Sequence, residues 1–154
     1  MEHITPGYTK LRSCSFVSCL ISGAAIRQVG LPVSEFFIWY DDVEYTMRIS
    51  DRFDCFHVPA SIVYHHLQEN AGYDFAQLNS QNLWKFRYAI RNHTSVLAYK
   101  HGFRILPPLR HLVNEILGLI RHKKSFRIIL QMTWAGLGGL FFNYRKHIEN
   151  ANAR

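Results

Sequence analysis

Two adjacent carboxylates follow a run of aromatic side chains in the stretch EFFIWYDDVEYTMRI, residues 35–49. Asp41 and Asp42 come directly after Trp39 and Tyr40. A carboxylate at the start of a helix is held in its charged form with a fixed geometry, as a general base or a hydroxyl-binding group requires. The aromatic rings beside it offer flat apolar faces that can stack on sugars. The pattern therefore allows two interpretations, a helix N-cap with a helper charge or a site that binds and activates a hydroxyl.

A pair of histidines could contribute metal chemistry. His65 and His66 follow the stretch VPASIVY, which alternates as a strand does. Since neighbouring side chains on a strand point to opposite faces, we expect at most one of the two to face a given site. One imidazole holds an ion tightly only with carboxylate or phosphate oxygens beside it, and a histidine at the end of a strand is more often structural or solvated.

The composition is that of a globular chain with a basic C-terminal half. Of its 154 residues, 48% are hydrophobic and 19% are charged, and the formal net charge is +7. Acidic residues concentrate between residues 35 and 74, whereas basic residues and histidines dominate from residue 84 onward. This asymmetry suits an anionic partner, such as a phospholipid surface or a nucleotide.

The segment WKFRYAIRNH combines basic and aromatic residues. Lys85, Arg87 and Arg91 surround an aromatic spine at helical spacing. Such a face is either simply solvated or a surface for lipid phosphates or a pyrophosphate-linked substrate. The sequence shows no nucleic-acid-binding motif, so we expect no nucleic-acid partner.

Cysteine usage and the apolar segments bear on location. Cys14, Cys19 and Cys55 form no C-x-x-C pair, which favours a reducing compartment. The N-terminal stretch lacks the apolar core of a signal peptide. The longest apolar region, 128–142, is shorter than the about 20 residues of a transmembrane helix. We therefore expect a cytoplasmic protein that is peripheral on the inner face of the cell membrane.

Local patterns predict a mixed α/β portion at the start of the chain. We expect a buried strand at residues 16–21 and then a short helix that ends at Gly30. A second helix is expected to begin at the paired aspartates, and two short extended pieces to lie on either side of Pro59.

The helix that begins at the aspartates has two predicted features. Asp41 or Asp42 is expected to serve as its N-cap. Glu44 and Arg48 lie four residues apart, the spacing of an ion pair on one helix face.

After about residue 74 the hydrophobic period becomes that of amphipathic helices. A first helix is predicted over residues 75–102, with Gly102 at its end. Two further helices are predicted over 109–124 and 125–148, after a pair of prolines that starts this unit.

Three blocks of the sequence, in this order, resemble the C-terminal half of family 2 glycosyltransferases with the GT-A fold. They are FVSCLISGAAIRQVGLPVSEFFIWYDDVEYTMRI, VPASIVYHH and WKFRYAIRN. The likeness covers roughly residues 15–100 and is to the bacterial rhamnosyltransferase and galactofuranosyltransferase-like branch. It implies an α/β fold class, a partial GT-A-type mixed sheet with helices, followed by a helical C-terminal region. In these terms residues 1–72 are the acceptor-side part of the catalytic domain, and residues 73–154 are a basic helical region in contact with a membrane.

The resemblance implies roles for the acidic and aromatic residues. Asp42 matches the catalytic base that deprotonates the acceptor hydroxyl. Asp41 and Glu44 are then expected to bind the acceptor, with Trp39 and Tyr40 lining its site. The implied reaction is inverting transfer of a sugar from a nucleotide-sugar donor to a glycan or lipid-linked acceptor, in the synthesis of cell-surface polysaccharide.

The resemblance also implies a metal and an anionic surface. His65 matches the histidine that helps to hold Mg²⁺ or Mn²⁺ on the donor diphosphate. Lys85, Arg87 and Arg91 are expected to contact phosphate or an anionic membrane.

The family's nucleotide-binding βαβ unit and its Asp-any-Asp metal motif do not appear in this sequence. We therefore expect a fragment, a split-gene product or a domain that a separate nucleotide-binding half completes, and no transfer by this chain alone. The alternative is a different class of function, a non-catalytic basic module that associates with membranes or other proteins.

Overall fold

The computed structural model describes residues 7–66, 72–100, 105–146 and 148, in which the chain is mostly helical. Two strands of two residues each pair antiparallel, with Thr9 opposite His57. The elements are, in chain order, β1 Thr9–Lys10, α1 Gly23–Val29, α2 Asp41–Ser50, β2 Phe56–His57, α3 Leu83–Lys100, α4 Leu106–Arg121 and α5 Phe126–Phe141. Short 3₁₀ turns form at Phe16–Ser18, Ser34–Phe36 and Phe75–Gln77.

The three C-terminal helices form a bundle around α3. α3 packs against both α4 and α5, and α4 also packs against α5. Amphipathic spacing buries one stripe of each helix, which confirms the predicted helical C-terminal region. The bundle's core contains Leu78, Phe86, Ile90, Leu112, Leu119 and Met132. None of the described helices is both long and apolar enough to cross a membrane.

Two glycines of α5 let that helix lie close to its neighbours. A Cβ atom at Gly139 would clash with the carbonyl oxygen of Arg91 and would lie 2.9 Å from the Cβ of Thr94. A Cβ atom at Gly136 would clash with the side chain of Leu112. Any larger residue at these positions would push α5 away from α3 and α4.

Several helix boundaries agree with the sequence signals. Ser22 Oγ accepts a hydrogen bond of 3.1 Å from a backbone amide in the first turn of α1, and Gly30, at φ 79°, ends this helix as predicted. Pro107 and Pro108 lie in the first turn of α4, where a missing N–H leaves no bond unmade. Gly102, the predicted end of α3, lies outside the described residues.

The start of α3 was predicted too early, because residues 75–82 do not belong to that helix. Asn79 Oδ1 accepts hydrogen bonds from the backbone amides two and three residues later, at 2.9 and 3.2 Å. Asn82 Oδ1 accepts one of 2.8 Å from the amide of Asn79. Asparagine side chains that bond the local backbone in this way compete with helix formation, so α3 begins only at Leu83.

The predicted strand at residues 16–21 is wrong. Ser15 Oγ accepts a hydrogen bond of 3.4 Å from the amide of Val17, which stabilises a 3₁₀ turn there instead. Leu20 is fully exposed, at 100% of its surface. A strand needs a neighbour to pair its backbone groups, and in the described part of the chain β1 pairs only with β2.

The extended pieces around Pro59 are also shorter than predicted. Only Phe56–His57 forms a strand, and residues 61–66 are exposed without regular structure. The described residues therefore contain a two-stranded ladder and not the mixed GT-A-type sheet that the resemblance implies.

Two hydrophobic clusters hold the N-terminal part of the chain, one within it and one against the helical bundle. α1 and α2 bury Ala25, Val29, Tyr45 and Ile49 against each other. The loop between these two helices buries Val33 and Phe36 against α3 and the residues after α5, a cluster completed by Val96, Tyr99 and Tyr144. Packing therefore crosses the predicted boundary at residue 72 and fixes the loop that leads into α2.

Candidate functional site

The segment before α2 has a backbone conformation that residues with side chains rarely adopt. Phe37, Trp39 and Tyr40 have φ values of 59°, 58° and 67°. The amide of Ile38 donates a hydrogen bond of 2.6 Å to the carbonyl oxygen of Phe36, which closes a γ-turn of the rare, strained kind at Phe37. Each such residue costs about 1–3 kcal/mol and persists only where its surroundings impose it. Something must hold this aromatic segment in place.

Asn92 of α3 supplies that restraint. Its Nδ2 donates to the carbonyl oxygens of Phe36, Ile38 and Trp39, at 2.9, 3.2 and 2.8 Å. The side chain is completely buried. Because a buried carbonyl without a partner costs about 1–3 kcal/mol, these bonds hold the strained backbone against α3.

Arg91 braces the same contact from the neighbouring position. Its Nε and Nη2 donate to Asn92 Oδ1 at 3.0 and 2.8 Å, and Nη2 also donates to the carbonyl oxygen of Glu35. The guanidinium lies over the rings of Tyr88 and Phe142, at 4.6 and 4.5 Å from their centroids. Burial lowers the pKa of Arg91. Arg91 was predicted to contact phosphate or a membrane, but its guanidinium is engaged by contacts within the protein, where it positions the aromatic segment.

The aspartate pair lies in the first turn of α2. The N-cap position belongs to Tyr40, whose carbonyl oxygen accepts the amide of Glu44 at 3.0 Å, so the prediction that Asp41 or Asp42 is the N-cap is wrong. Asp42 Oδ1 accepts a hydrogen bond of 2.8 Å from the amide of Val43. Both carboxylates are partly exposed at the N-terminal end of α2, which leaves oxygens accessible to a ligand.

A chain of polar side chains, most of them partly buried, runs from Tyr40 into the bundle. Its hydroxyl lies 2.7 Å from Nδ1 of His93, and the two rings stack at 4.3 Å. The ring of His93 contacts that of His111, with centroids 3.8 Å apart. Nδ1 of His111 lies 3.6 Å from the carboxylate of Glu115, which also accepts a hydrogen bond from the hydroxyl of Tyr73.

Burial sets the protonation states along this chain. It lowers the pKa of His93 to about 3 and the pKa of His111 to about 4, so both rings are neutral near pH 7. Burial, followed by the charges of Glu115 and Asp42, raises the pKa of Tyr40 to about 12. The Tyr40 hydroxyl is therefore protonated and shares a hydrogen bond with Nδ1 of His93. It anchors the start of α2 and is unsuited to act as a base.

The aromatic residues predicted to line an acceptor site turn partly into the protein. Trp39 packs edge-on against Phe86 and Tyr73, with ring centroids 5.2 and 5.7 Å apart. Tyr40, as described above, stacks on His93. Both rings are partly buried, so their larger contribution is to hold the segment.

An aromatic cluster that was not among the site residues predicted from the sequence lies beside this segment. The ring of Phe37 is 67% exposed, and its centroid lies 6.0 Å from that of Trp84 and 5.6 Å from that of Tyr88. Trp84 and Tyr88 stand four residues apart on α3, a spacing that was visible in the sequence. Phe37 joins them only because of its positive φ, which no sequence signal reveals.

Glu44, predicted to bind the acceptor, is only 4% exposed and pairs with Arg48. Nε and Nη2 of Arg48 donate to its two carboxylate oxygens at 3.0 and 3.1 Å, which confirms the predicted ion pair. Arg48 also donates to the carbonyl oxygens of Val29 and Leu31. Burial raises the pKa of Glu44, against the opposing effect of Arg48. Acceptor binding by Glu44 stays a prediction. Its observed partner is Arg48 of the same helix, and Arg48 joins α2 to the end of α1.

His65, predicted to help hold a divalent metal, is exposed in the irregular segment 61–66. Within the described ranges no three His, Cys, Asp or Glu side chains come together as a metal site. The residues present therefore do not fit a bound Mg²⁺ or Mn²⁺ by themselves, and a role for His65 at a metal stays a prediction.

Lys85 and Arg87 lie on the outer side of α3. The Nζ of Lys85 lies 5.6 Å from the ring centroid of Trp84, and Arg87 is exposed. Both are accessible to an anion, so the predicted contact with phosphate or membrane remains open for these two.

Comparison of the chain with protein-family models, with curated proteins and with solved structures found no match. The likeness to family 2 glycosyltransferases therefore depends on the three sequence blocks alone.

Substitution Asn92→Ala tests the restraint on the aromatic segment. Three backbone carbonyls would lose their donor, and the strained turns would lose their support. We expect the free energy of unfolding to fall by about 2–4 kcal/mol, measured by chemical denaturation. Chymotrypsin should also cut the native protein faster within residues 36–40, because local opening becomes easier.

The control is Asn114→Ala on the exposed side of α4. We expect it to change the free energy of unfolding by less than about 0.5 kcal/mol. Equal stability and equal cleavage rates for the two variants would show that Asn92 does not hold the segment.

Proposed function

We propose that this chain is the acceptor side of a family 2 glycosyltransferase, with Asp42 as the general base. The enzyme would transfer a sugar from a nucleotide-sugar donor to a glycan or lipid-linked acceptor with inversion, in cell-surface polysaccharide synthesis at the inner face of the membrane. The observation that supports the proposal is the restrained conformation of the aromatic segment, residues 36–40. Asn92 and Arg91 hold a strained backbone that ends at the paired aspartates. Strain of this kind concentrates at functional sites.

The geometry suits a general base. The first turn of α2 fixes the position of Asp42, and its bond to the amide of Val43 leaves one carboxylate oxygen for a ligand. Partial exposure lets a hydroxyl approach. Asp41, the preceding residue, can hold a second hydroxyl of the same sugar.

The reaction would proceed in one displacement. A carboxylate oxygen of Asp42 takes the proton of the acceptor hydroxyl while the hydroxyl oxygen of the acceptor attacks the anomeric carbon of the donor. The bond from the anomeric carbon to the nucleotide diphosphate breaks on the opposite face, so the configuration inverts. A divalent metal, where one is bound, would balance the charge of the departing diphosphate. The described residues contribute the base and the acceptor contacts.

The exposed cluster of Phe37, Trp84 and Tyr88 supports an acceptor made of sugars. Aromatic faces bury the apolar faces of pyranose or furanose rings, and these three rings contact one another next to the aromatic segment, with Phe37 and Trp84 exposed and Tyr88 partly exposed. We assign sugar stacking to this cluster. Trp39 and Tyr40 then hold the segment from which Phe37 projects.

Glycan binding by the chain itself tests the acceptor role. We expect oligosaccharides that contain rhamnose or galactofuranose to bind weakly, and Asp42→Ala to weaken binding about tenfold through the loss of charged hydrogen bonds. Calorimetry or saturation-transfer NMR measures this. Asp51→Ala, at the other end of α2, is the matched control and should bind like the parent.

In a protein that also carries a nucleotide-binding half, Asp42→Asn should lower kcat by about 10²–10⁴-fold with little change in donor binding. Retained turnover would exclude Asp42 as the base. Glycan binding that is equal in the parent, the Asp42→Ala and the Asp51→Ala proteins would remove the acceptor role as well.

A second candidate function, attachment to an anionic membrane, is favoured by the outer surface of the bundle. One face of α5 exposes Phe126, Leu130, Trp134 and Phe141, with Trp134 at 68% and Phe141 at 85%. One face of α4 likewise exposes Leu106, Val113, Leu117 and Ile120.

The exposed basic residues Arg110, Arg121, Lys123 and Arg127 flank these stripes. An apolar stripe bordered by cations is the pattern of a helix that lies in the interface of an anionic bilayer.

Vesicle binding tests this candidate. Phe126→Ser combined with Trp134→Ser should weaken binding to vesicles of phosphatidylcholine and phosphatidylglycerol about tenfold, because apolar contact area is lost. Binding should also fall as salt rises. The control pair is Leu20→Ser with Leu31→Ser, which alters two exposed apolar residues elsewhere. Equal losses in both pairs, or no binding by the parent protein, would contradict membrane attachment.

A further inference from the structure

A cleft rich in basic side chains lies between the C-terminal half of α2, the end of α3 and residues 144–148. It has a volume of about 510 Å³. Five basic and two acidic side chains line it, an excess of three positive charges. No sequence signal pointed to it, because its walls come from four separate segments of the chain.

The two carboxylates of the cleft are already engaged. Glu44 pairs with Arg48, as described above, and Asp51 lies 3.4 Å from Arg12. The charge of Arg145 also reaches Glu44, because it adds to the effects that oppose the burial-driven rise in the pKa of Glu44. The excess charge therefore remains after the internal pairs are formed.

Three basic residues provide this excess. Arg52, Lys100 and Arg145 form no ion pair with any described carboxylate. All three are exposed at the mouth of the cleft. Arg52 donates one bond to the carbonyl oxygen of Gln28, and Arg145 lies over the ring of Tyr99. Each contact positions its guanidinium and leaves further N–H groups available.

We propose that this cleft binds a ligand that carries a phosphate or diphosphate group. Arginine and lysine side chains that converge on a concave surface attract and chelate such anions. The volume lies within the range of small-molecule sites. Met47, Val96 and Tyr144 add an apolar wall that can contact the organic part of the ligand.

The proposed anion site goes beyond the transferase function and does not depend on it. Arg48, in the middle of the cleft wall, follows Asp42 by six residues, about 9 Å along α2. Glu44 also lines the cleft, two residues after Asp42, but the other cleft residues of α2 lie further along the helix. The phosphate could belong to a free phosphorylated metabolite or to a lipid headgroup, and the chemistry of the cleft is the same for both.

Titration with two probes tests the site and separates these sources. Inorganic pyrophosphate represents a free phosphate, and monomeric short-chain phosphatidic acid represents a headgroup without a bilayer. Calorimetry on the full chain should show saturable binding of at least one. Preference for pyrophosphate identifies a metabolite site, and preference for phosphatidic acid identifies a lipid site.

Paired variants decide whether binding occurs in the cleft. Lys100→Gln with Arg145→Gln should weaken binding of the preferred probe by about tenfold or more, because two converging cations are lost. Lys10→Gln with Arg27→Gln removes the same charge from exposed positions outside the cleft and should change the affinity less than about twofold. Equal effects of the two pairs, or no saturable binding of either probe, would overturn the proposal.

Discussion

The side-chain amide of Asn92 is the contact on which the candidate site depends. It donates to three carbonyl oxygens of an aromatic segment whose backbone would otherwise relax, since Phe37, Trp39 and Tyr40 all have positive φ. The start of α2 follows directly, with Tyr40 as its N-cap residue. The position of the paired aspartates is thus determined by a residue of a different helix, 50 positions after Asp42 in the chain.

The rest of the structure supports this contact from both sides. The close approach of α5 at Gly139 packs that helix against the backbone of Arg91, so the bundle fixes the region of α3 that carries Asn92. From the other side, the Tyr40 hydroxyl bonds to a neutral His93. Both contacts restrict the conformations of the segment before α2. A site that aligns a carboxylate with a substrate hydroxyl requires such restriction. The exposed ring of Phe37 is a by-product of the same turn and is available for a ligand.

Sequence patterns predicted the elements that depend on local signals. The helices α1, α2, α4 and α5 and the Glu44–Arg48 pair all follow from spacing within one segment. The strand expected at residues 16–21 failed because a strand depends on a partner that the described chain does not place beside it. The roles of Arg91 and Asn92 could not be predicted, because a basic and an amide residue on a helix are equally typical of a solvent-exposed face. Their contacts depend on the packing of the loop before α2 against α3. The cationic cleft could not be predicted either, because its walls come from four distant segments of the chain.

Comparison of glycine with alanine at position 37 tests directly whether the backbone before the paired aspartates is held at positive φ. Both variants remove the exposed ring, but only glycine adopts a positive φ without steric cost. We predict that Phe37→Gly unfolds with a free energy about 1 kcal/mol higher than Phe37→Ala. At Leu20, which is exposed and has no positive φ, the order should reverse or vanish. If Phe37→Ala is as stable as Phe37→Gly, the segment before the aspartates is not held in the strained conformation, and the account of the site is wrong.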